Sequence, residues 1–248
     1  MTGLLRAELL KIRSTRMWWG LLAGALVLVA VQVVALILVA GQQGAPSLDQ
    51  ASTVRTVWGS AGTGSTFVLV LGILGMTTEY RHMTITSTFL ATPRRGRVVV
   101  AKLVAHAAFG VLFGVACVAL TAALAVPLLA LKGAATIPTS TILQVLAASV
   151  VGLGVYAVVG VGVGSFIRNQ IAAIVGALVW VFLVESLIVA LLPQVGKWLP
   201  GGAASAMLQA TSTRGHLLEP WAGGLLFLGY GLAFAALAAV TTLRRDIT

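Results

Sequence analysis

The sequence predicts an all-α membrane protein with six membrane-spanning helices. Three observations predict it. Only 22 of the 248 residues are charged, 16 basic and 6 acidic, where a soluble domain carries about a quarter. Mean hydropathy is +1.04. The apolar residues gather into six runs, each of about 20 residues or more, the length of helix that crosses a hydrocarbon core. So few charges cannot coat a water-soluble surface, and the whole chain, 1–248, reads as one transmembrane domain.

The chain opens on a charged segment, 1–16, holding Arg6, Glu8, Lys11, Arg13 and Arg16. At 100° per residue Leu5, Leu9 and Ile12 fall within a sector of roughly 60°, flanked by the bases, which predicts a short helix lying in the membrane interface. The apolar run behind it is too long for the core of a cleavable signal, so the first span is expected to act as its own insertion signal. That span runs over about 18–40. The second covers about 57–77 and the third about 98–131, longer than a crossing needs, with Pro127 near its end. The fourth covers about 142–166, the fifth about 171–192 and the sixth about 221–243. Little more than Arg168-Asn169-Gln170 joins spans four and five, which forces an antiparallel hairpin. The segment Pro193–Pro220 is long, carries Pro193, Pro200, Gly201 and Gly202, and is expected to contain short helices at the outer face.

Charge orients the bundle. With the N-terminus in the cytoplasm, 12 of the basic residues (Arg6, Lys11, Arg13, Arg16, Arg81, Arg94, Arg95, Arg97, Lys102, Arg168, Arg244 and Arg245) fall inside and four (Arg55, Lys132, Lys197 and Arg214) outside. This positive-inside bias predicts a multi-pass protein of a bacterial cytoplasmic membrane with both termini in the cytoplasm. The net charge of +10 is accounted for in the same way, so no nucleic acid is expected as a partner. Cys117 is the single cysteine and sits in an apolar run, which excludes a disulfide within the chain. Glycines four apart (Gly20/Gly24, Gly110/Gly114, Gly160/Gly164) predict close helix packing. Gln32 and Gln144 are candidate interhelical hydrogen-bond donors, and Trp58, Trp180, Trp198 and Trp221 include candidate interface anchors.

The informative polar stretch lies between spans two and three, from Glu79 to Arg97. Its carboxylate is followed by Thr84, Ile85, Phe89 and Leu90, then by Pro93, which ends any helix there, and a basic cluster. A solvated loop has no use for Ile85 or the Phe89-Leu90 pair; a short helix docking on a protein partner does. Glu79 and Arg81 either anchor the membrane boundary, or Glu79 pairs with a base of the N-terminal helix or of the coupling segment. Glu185 is the one ionisable residue well inside a span, about 20 Å along the fifth helix at 1.5 Å per residue. Such a charge must face protein or water, be paired, or be protonated. Glu185 therefore lines a translocation path or a dimer interface, or is tied to Arg214, Lys197 or nearby backbone. His82 reads as an interfacial polar residue and His106 as a packing residue. Neither has a second ligand at metal spacing, so no metal is expected, and no catalytic constellation is present.

The stretch carrying Glu79, Arg81, Thr84, Ile85, Leu90, Pro93 and Arg95, with Lys102 following and the opening Glu8-Leu9-Leu10-Lys11 ahead of Trp18, resembles the type-2 permeases of ATP-binding-cassette (ABC) transporters. The resemblance implies a membrane permease of an exporter that is not itself an enzyme. It implies that Glu79, Arg81, Thr84, Ile85, Phe89, Leu90, Pro93 and Arg95 form a cytoplasmic coupling helix seated on a separate ATPase. It further implies two copies of that ATPase and a second permease, identical or homologous. The chain has no Gly-x-x-x-x-Gly-Lys-[Ser/Thr] phosphate loop, so ATP-Mg is expected on the partner and no cofactor on this chain. The alternatives are a proton-coupled secondary transporter with Glu185 as carrier, and a membrane-embedded enzyme or assembly factor using Glu185 and His106. The first would show inverted repeats, which the sequence lacks; the second would need both residues at one depth.

Overall fold

A computed structural model describes residues 2–42, 44–82, 95–167, 169–208 and 217–244, with backbone alone at 95 and 241–244. Among these residues the chain is helical throughout, without strands. Six helices are long and apolar enough to cross a membrane, as the sequence predicts.

Helix α1 (Thr2–Ser14) precedes the first span, α2 (Met17–Val39). The predicted apolar face of α1 is used: Ile12 is buried, and Leu5 and Leu9 pack on the core. The second span is longer than its apolar run suggests. It starts at α3 (Ala51–Gly59), tightens into a 3₁₀ turn at Ser60–Gly64, and continues as α4 (Ser65–Arg81). Glycines at 59, 62 and 64 explain the weak point, since glycine lowers helix propensity. Helix α5 (Arg95–Leu131) is the third span. It continues four residues past Pro127, because a proline this close to the C-terminal end disrupts little of the ladder.

Helix α6 (Thr139–Phe166) is the fourth span. The tight connection behind it is closed by Asn169, whose side-chain oxygen accepts from Ala172 N–H at 3.0 Å and caps α7 (Gln170–Val179). The fifth span continues through a π-helical turn, Trp180–Val184, into α8 (Glu185–Leu191). Two short helices follow, α9 (Pro193–Gly196) and α10 (Pro200–Met207), each opened by its proline. Helix α11 (Pro220–Arg244) is the sixth span.

Spans two and four form the centre. Of the apolar window of span two, 61% is buried inside the chain, against 11% for span five. Close approach explains the pairing: Gly72 and Gly160 face each other, and a Cβ on Gly160 would overlap the Leu69 carbonyl. Backbones meet there without side chains between them, the arrangement lipid-embedded helices use. Gly110 and Gly114 play the same part between spans three and four. Gly24 packs under Phe67, whereas Gly20 meets nothing, so the predicted Gly20/Gly24 pair is half right. Gln32 accepts from the Thr63 hydroxyl at 2.6 Å, tying span one to the 3₁₀ turn as an acceptor rather than the predicted donor. Trp58 is buried in the core and is no interface anchor, while Trp180, Trp198 and Trp221 are exposed.

Candidate functional site

Four charged side chains from three elements meet at the end of the bundle that carries α1. Glu8 and Lys11 are one helical turn apart on α1, Glu79 lies in the last turn of α4, and Lys102 in the third turn of α5. Lys102 Nζ donates to Glu8 Oε2 at 2.7 Å, to Glu79 Oε1 at 2.8 Å and to the Gly75 carbonyl at 3.2 Å. Lys11 Nζ donates to Glu8 Oε1 at 2.7 Å and to Glu79 Oε1 at 2.8 Å. Two carboxylates and two ammoniums thus form a closed, neutral ring. Lys102 and Glu8 are each 3% exposed and Glu79 7%; only Lys11 reaches out, with 43% of its side chain accessible.

Such a ring is stable only as a unit. Burial pushes the Glu8 carboxyl up, but the Lys102 and Lys11 ammoniums outweigh it and hold the group below its ordinary 4.5. Burial likewise pulls the Lys11 ammonium down, and Glu79 and Glu8 outweigh it and hold it above its ordinary 10.5. Glu8 and Lys11 therefore stay charged over the physiological range, and the four side chains pin α1 to the ends of α4 and α5.

His106 sits one turn beyond Lys102 on α5, with Nδ1 2.8 Å from the Lys102 carbonyl. Its ring packs against Gly75, where a Cβ would collide with it. This is the packing role the sequence suggested, though His106 Nε2 is buried without a partner. Glu79, Arg81 and His82 are described: Glu79 is in the ring, while Arg81 and His82 are exposed at the end of α4. The remaining coupling residues, Thr84, Ile85, Phe89, Leu90 and Pro93, lie outside the described residues, as does the side chain of Arg95, whose backbone opens α5.

Glu185 is elsewhere. It follows the π turn of span five and is 5% exposed. Its carboxylate accepts from the backbone N–H groups of Gly201 and Gly202 in the first turn of α10, where a helix N-terminus leaves N–H groups unpaired and favours negative charge. Of the partners the sequence allowed, the structure selects backbone. Lys197 instead donates to Gln194 at 2.9 Å and lies over the Trp198 ring, and Arg214 lies outside the described residues. The expected short helices after span five are α9 and α10. Helix α10 turns back along the bundle: Gly223 of span six packs on Ala203 and Ala206, and Met207 and Leu208 reach Gly152 of span four and Gly62 of the 3₁₀ turn. Tyr230 of span six donates to the Trp198 carbonyl at 2.8 Å. Glu185 also lines a cavity of about 350 Å³ with Val181, Ser186, Lys197 and Ser205. His106 lines a different one, so the two residues an embedded enzyme would need are not brought together.

The comparison with known families decides the class. The family described as ABC-2 family transporter protein matches residues 4–184, well over half of the chain. The chain belongs to this ABC-2 family. It is thus a membrane permease of the ABC transporter class, and membership implies a non-catalytic membrane subunit. The match takes in the whole charged ring and the stretch between spans two and three. It stops one residue before Glu185, so the carboxylate, α9, α10 and span six of this permease lie beyond it. No curated protein matches the chain.

Of the ring, sequence reasoning singled out Glu79 and allowed it a base of the N-terminal helix or of the coupling segment as partner; the structure gives it Lys11 of α1. Sequence reasoning missed that Glu8 and Lys102 complete the set. The signal was present. Lys102 enters a long apolar helix, where an unpaired ammonium is costly, and of the six acidic residues only Glu8 and Glu79 fall at the same end in helical segments.

Proposed function

We propose that this permease is the membrane half of an exporter in a bacterial cytoplasmic membrane, moving its cargo outward on ATP hydrolysed by a separate ABC ATPase. The charged ring carries the reading. It joins α1 to the two helices between which the coupling stretch is strung, with Glu79 four residues before one end of that stretch and Lys102 in the third turn beyond the other. A push on residues 83–94 would then move α1, α4 and α5 together, because separating any one of them breaks a buried ion pair that costs about 3–5 kcal/mol to leave half-made. In this reading Glu79 and Arg81 anchor the coupling helix, and Thr84, Ile85, Phe89, Leu90, Pro93 and Arg95 form it. Both termini are cytoplasmic. ATP-Mg binds to two ATPase copies, and a second permease, the same or homologous, completes the complex. Glu185 then lines the outer part of the path or the permease-permease interface, on the least covered span.

The test is co-purification. The double substitution F89D/L90D should remove the ATPase from the purified complex while membrane insertion of the permease is unchanged. A retained complex with undiminished transport removes the coupling assignment.

A further inference from the structure

A second cavity, of about 530 Å³, opens at the α1 end between the α1–α2 junction, α4 and α5. Its size falls in the range of small-molecule sites, about 300–1,000 Å³. Its walls divide by chemistry. Ile12, Met17, Leu71 and Leu74 are apolar; the ion ring, Arg16 and His82 are polar. A pocket with an apolar wall and a charged rim at the end of a membrane bundle suits an amphiphile.

Charge selects its sign. Glu8 and Glu79 are matched by Lys11 and Lys102. Lys102 has three acceptors for its three N–H groups, so it is saturated. Lys11 has two acceptors and keeps one N–H. Arg16 has no partner among the described residues and is exposed at the rim. The surplus is one guanidinium and one spare ammonium N–H, five residues apart in sequence on the wall of the same cavity, and it calls for an anion. Guanidinium and ammonium groups are the usual ligands of phosphate, and basic pockets between spans hold anionic lipid head groups.

His106 lines the cavity as well, but its Nε2 points at Gly75 and is closed off from a ligand. We propose that this cavity binds an anionic glycerophospholipid, its phosphate on Arg16 and Lys11 and its chains along Met17, Leu71 and Leu74. The inference does not depend on the export reading.

Phosphate chemistry is shared by a lipid and by the free anion, and the experiment separates them. The permease, with any chain that co-purifies, is taken into mixed micelles containing phosphatidylglycerol, phosphatidylcholine, or neither plus inorganic phosphate. Retained lipid is counted by native mass spectrometry and the melting temperature is recorded. Phosphatidylglycerol should be retained and raise the melting temperature; phosphatidylcholine and inorganic phosphate should do neither. R16Q should weaken phosphatidylglycerol retention on the order of tenfold, the loss of one charge-assisted contact, and R16K should restore most of it. Arg16 is exposed and makes no side-chain hydrogen bond or ion pair among the described residues, so both variants should fold. Equal retention of the two lipids, an equal shift with inorganic phosphate, or an R16Q variant that behaves as wild type would each overturn the proposal.

Discussion

Replacing Lys102 by methionine keeps the length and apolar stem of the side chain and removes its charge. Three donated hydrogen bonds disappear, to Glu8, Glu79 and the Gly75 carbonyl. The larger consequence is electrostatic. Glu8 and Glu79, both nearly inaccessible, are left to share Lys11, whose side chain is 43% accessible and screened by water. The ring changes from neutral to a net negative charge in a buried site. Removing one partner of a buried pair costs about 3–5 kcal/mol. For a chain of 150–250 residues each kcal/mol moves the melting temperature by about 2–4 °C, so K102M should melt roughly 6–20 °C lower. K11M should cost clearly less, because its charge is already half in water. The companion variant tests the cause. E8Q/K102M leaves Glu79 with Lys11, a balanced pair, and should recover part of the loss, with a coupling energy of about 0.5–3 kcal/mol. Melting is followed by the static light scattering or intrinsic fluorescence of the detergent-solubilised protein. A K102M shift of only a degree or two, or an E8Q/K102M variant as unstable as the sum of its parts, would refute the ring as a cooperative unit.

The ring also predicts a pH plateau. The Glu8 carboxyl is lowered in the folded state, so its contribution is complete above its ordinary 4.5 and is lost as pH falls through the depressed value. The Lys11 ammonium is raised, so its contribution is complete below its ordinary 10.5 and is lost as pH rises through the elevated value. Melting temperature should therefore be insensitive to these groups between those limits, with E8Q flattening the acid limb and K11M the alkaline one; limbs unchanged by either substitution would contradict the assignment. At the bundle centre, G160A places a Cβ against the Leu69 carbonyl and should cost about 1–3 kcal/mol as overpacking, whereas G20A, facing open space, should be neutral; equal melting of the two would remove the close-contact reading. At the other end, E185Q keeps an acceptor for Gly201 but gives up the charge facing the α10 N-terminus, and should cost about 0.5–2 kcal/mol, with E185L costing more. If the carboxylate also serves the path, E185Q should change transport or cargo-stimulated ATPase activity at unchanged yield, and unaltered transport would leave Glu185 as a helix cap alone.

What the sequence made legible follows one physical rule. Apolar length and charge placement are one-dimensional signals, so the six spans and the helix ahead of Trp18 could be read directly. Span two was read short because its first turns, Ala51–Gly59, carry Ser52, Thr53, Arg55 and Thr56, polar residues that a hydropathy window discounts but that still fold as helix when they pack on spans one and four. The ring was half legible. Pairing between Glu8 and Lys102 joins residues 94 apart, and no periodicity within either helix reports on which faces meet. Gly75 sets the face of span three against span two through His106, as Gly160 sets that of span four, and their meaning becomes visible only when a Cβ is found to have nowhere to go.

Glu185 shows the reverse case, a residue visible in the sequence whose possible partners, two cations and nearby backbone, only the structure tells apart. A lone acid in an apolar helix demands compensation, and a search for a cation suggests Lys197 or Arg214. Among the described residues no cation pairs with it, and backbone N–H groups take that place. Pro200 opens a helix whose first N–H groups are unpaired, and Gly201 and Gly202 have no side chains to keep a carboxylate away; a Cβ on Gly201 would lie 2.8 Å from Oε1. The same pair of glycines that reads as a loop signal is thus what lets α10 turn back against the fifth span. The two ends of the permease are consequently built on different physics. The α1 end is a ring of full charges, strong at low dielectric, at the base of the helices that flank the proposed coupling stretch. The Glu185 end is a single carboxylate on backbone dipoles at the edge of a span that the rest of the chain barely covers. Of the two, the second releases at the lower cost, so if one end is to open while the other transmits a push as a solid body, the opening belongs at α10.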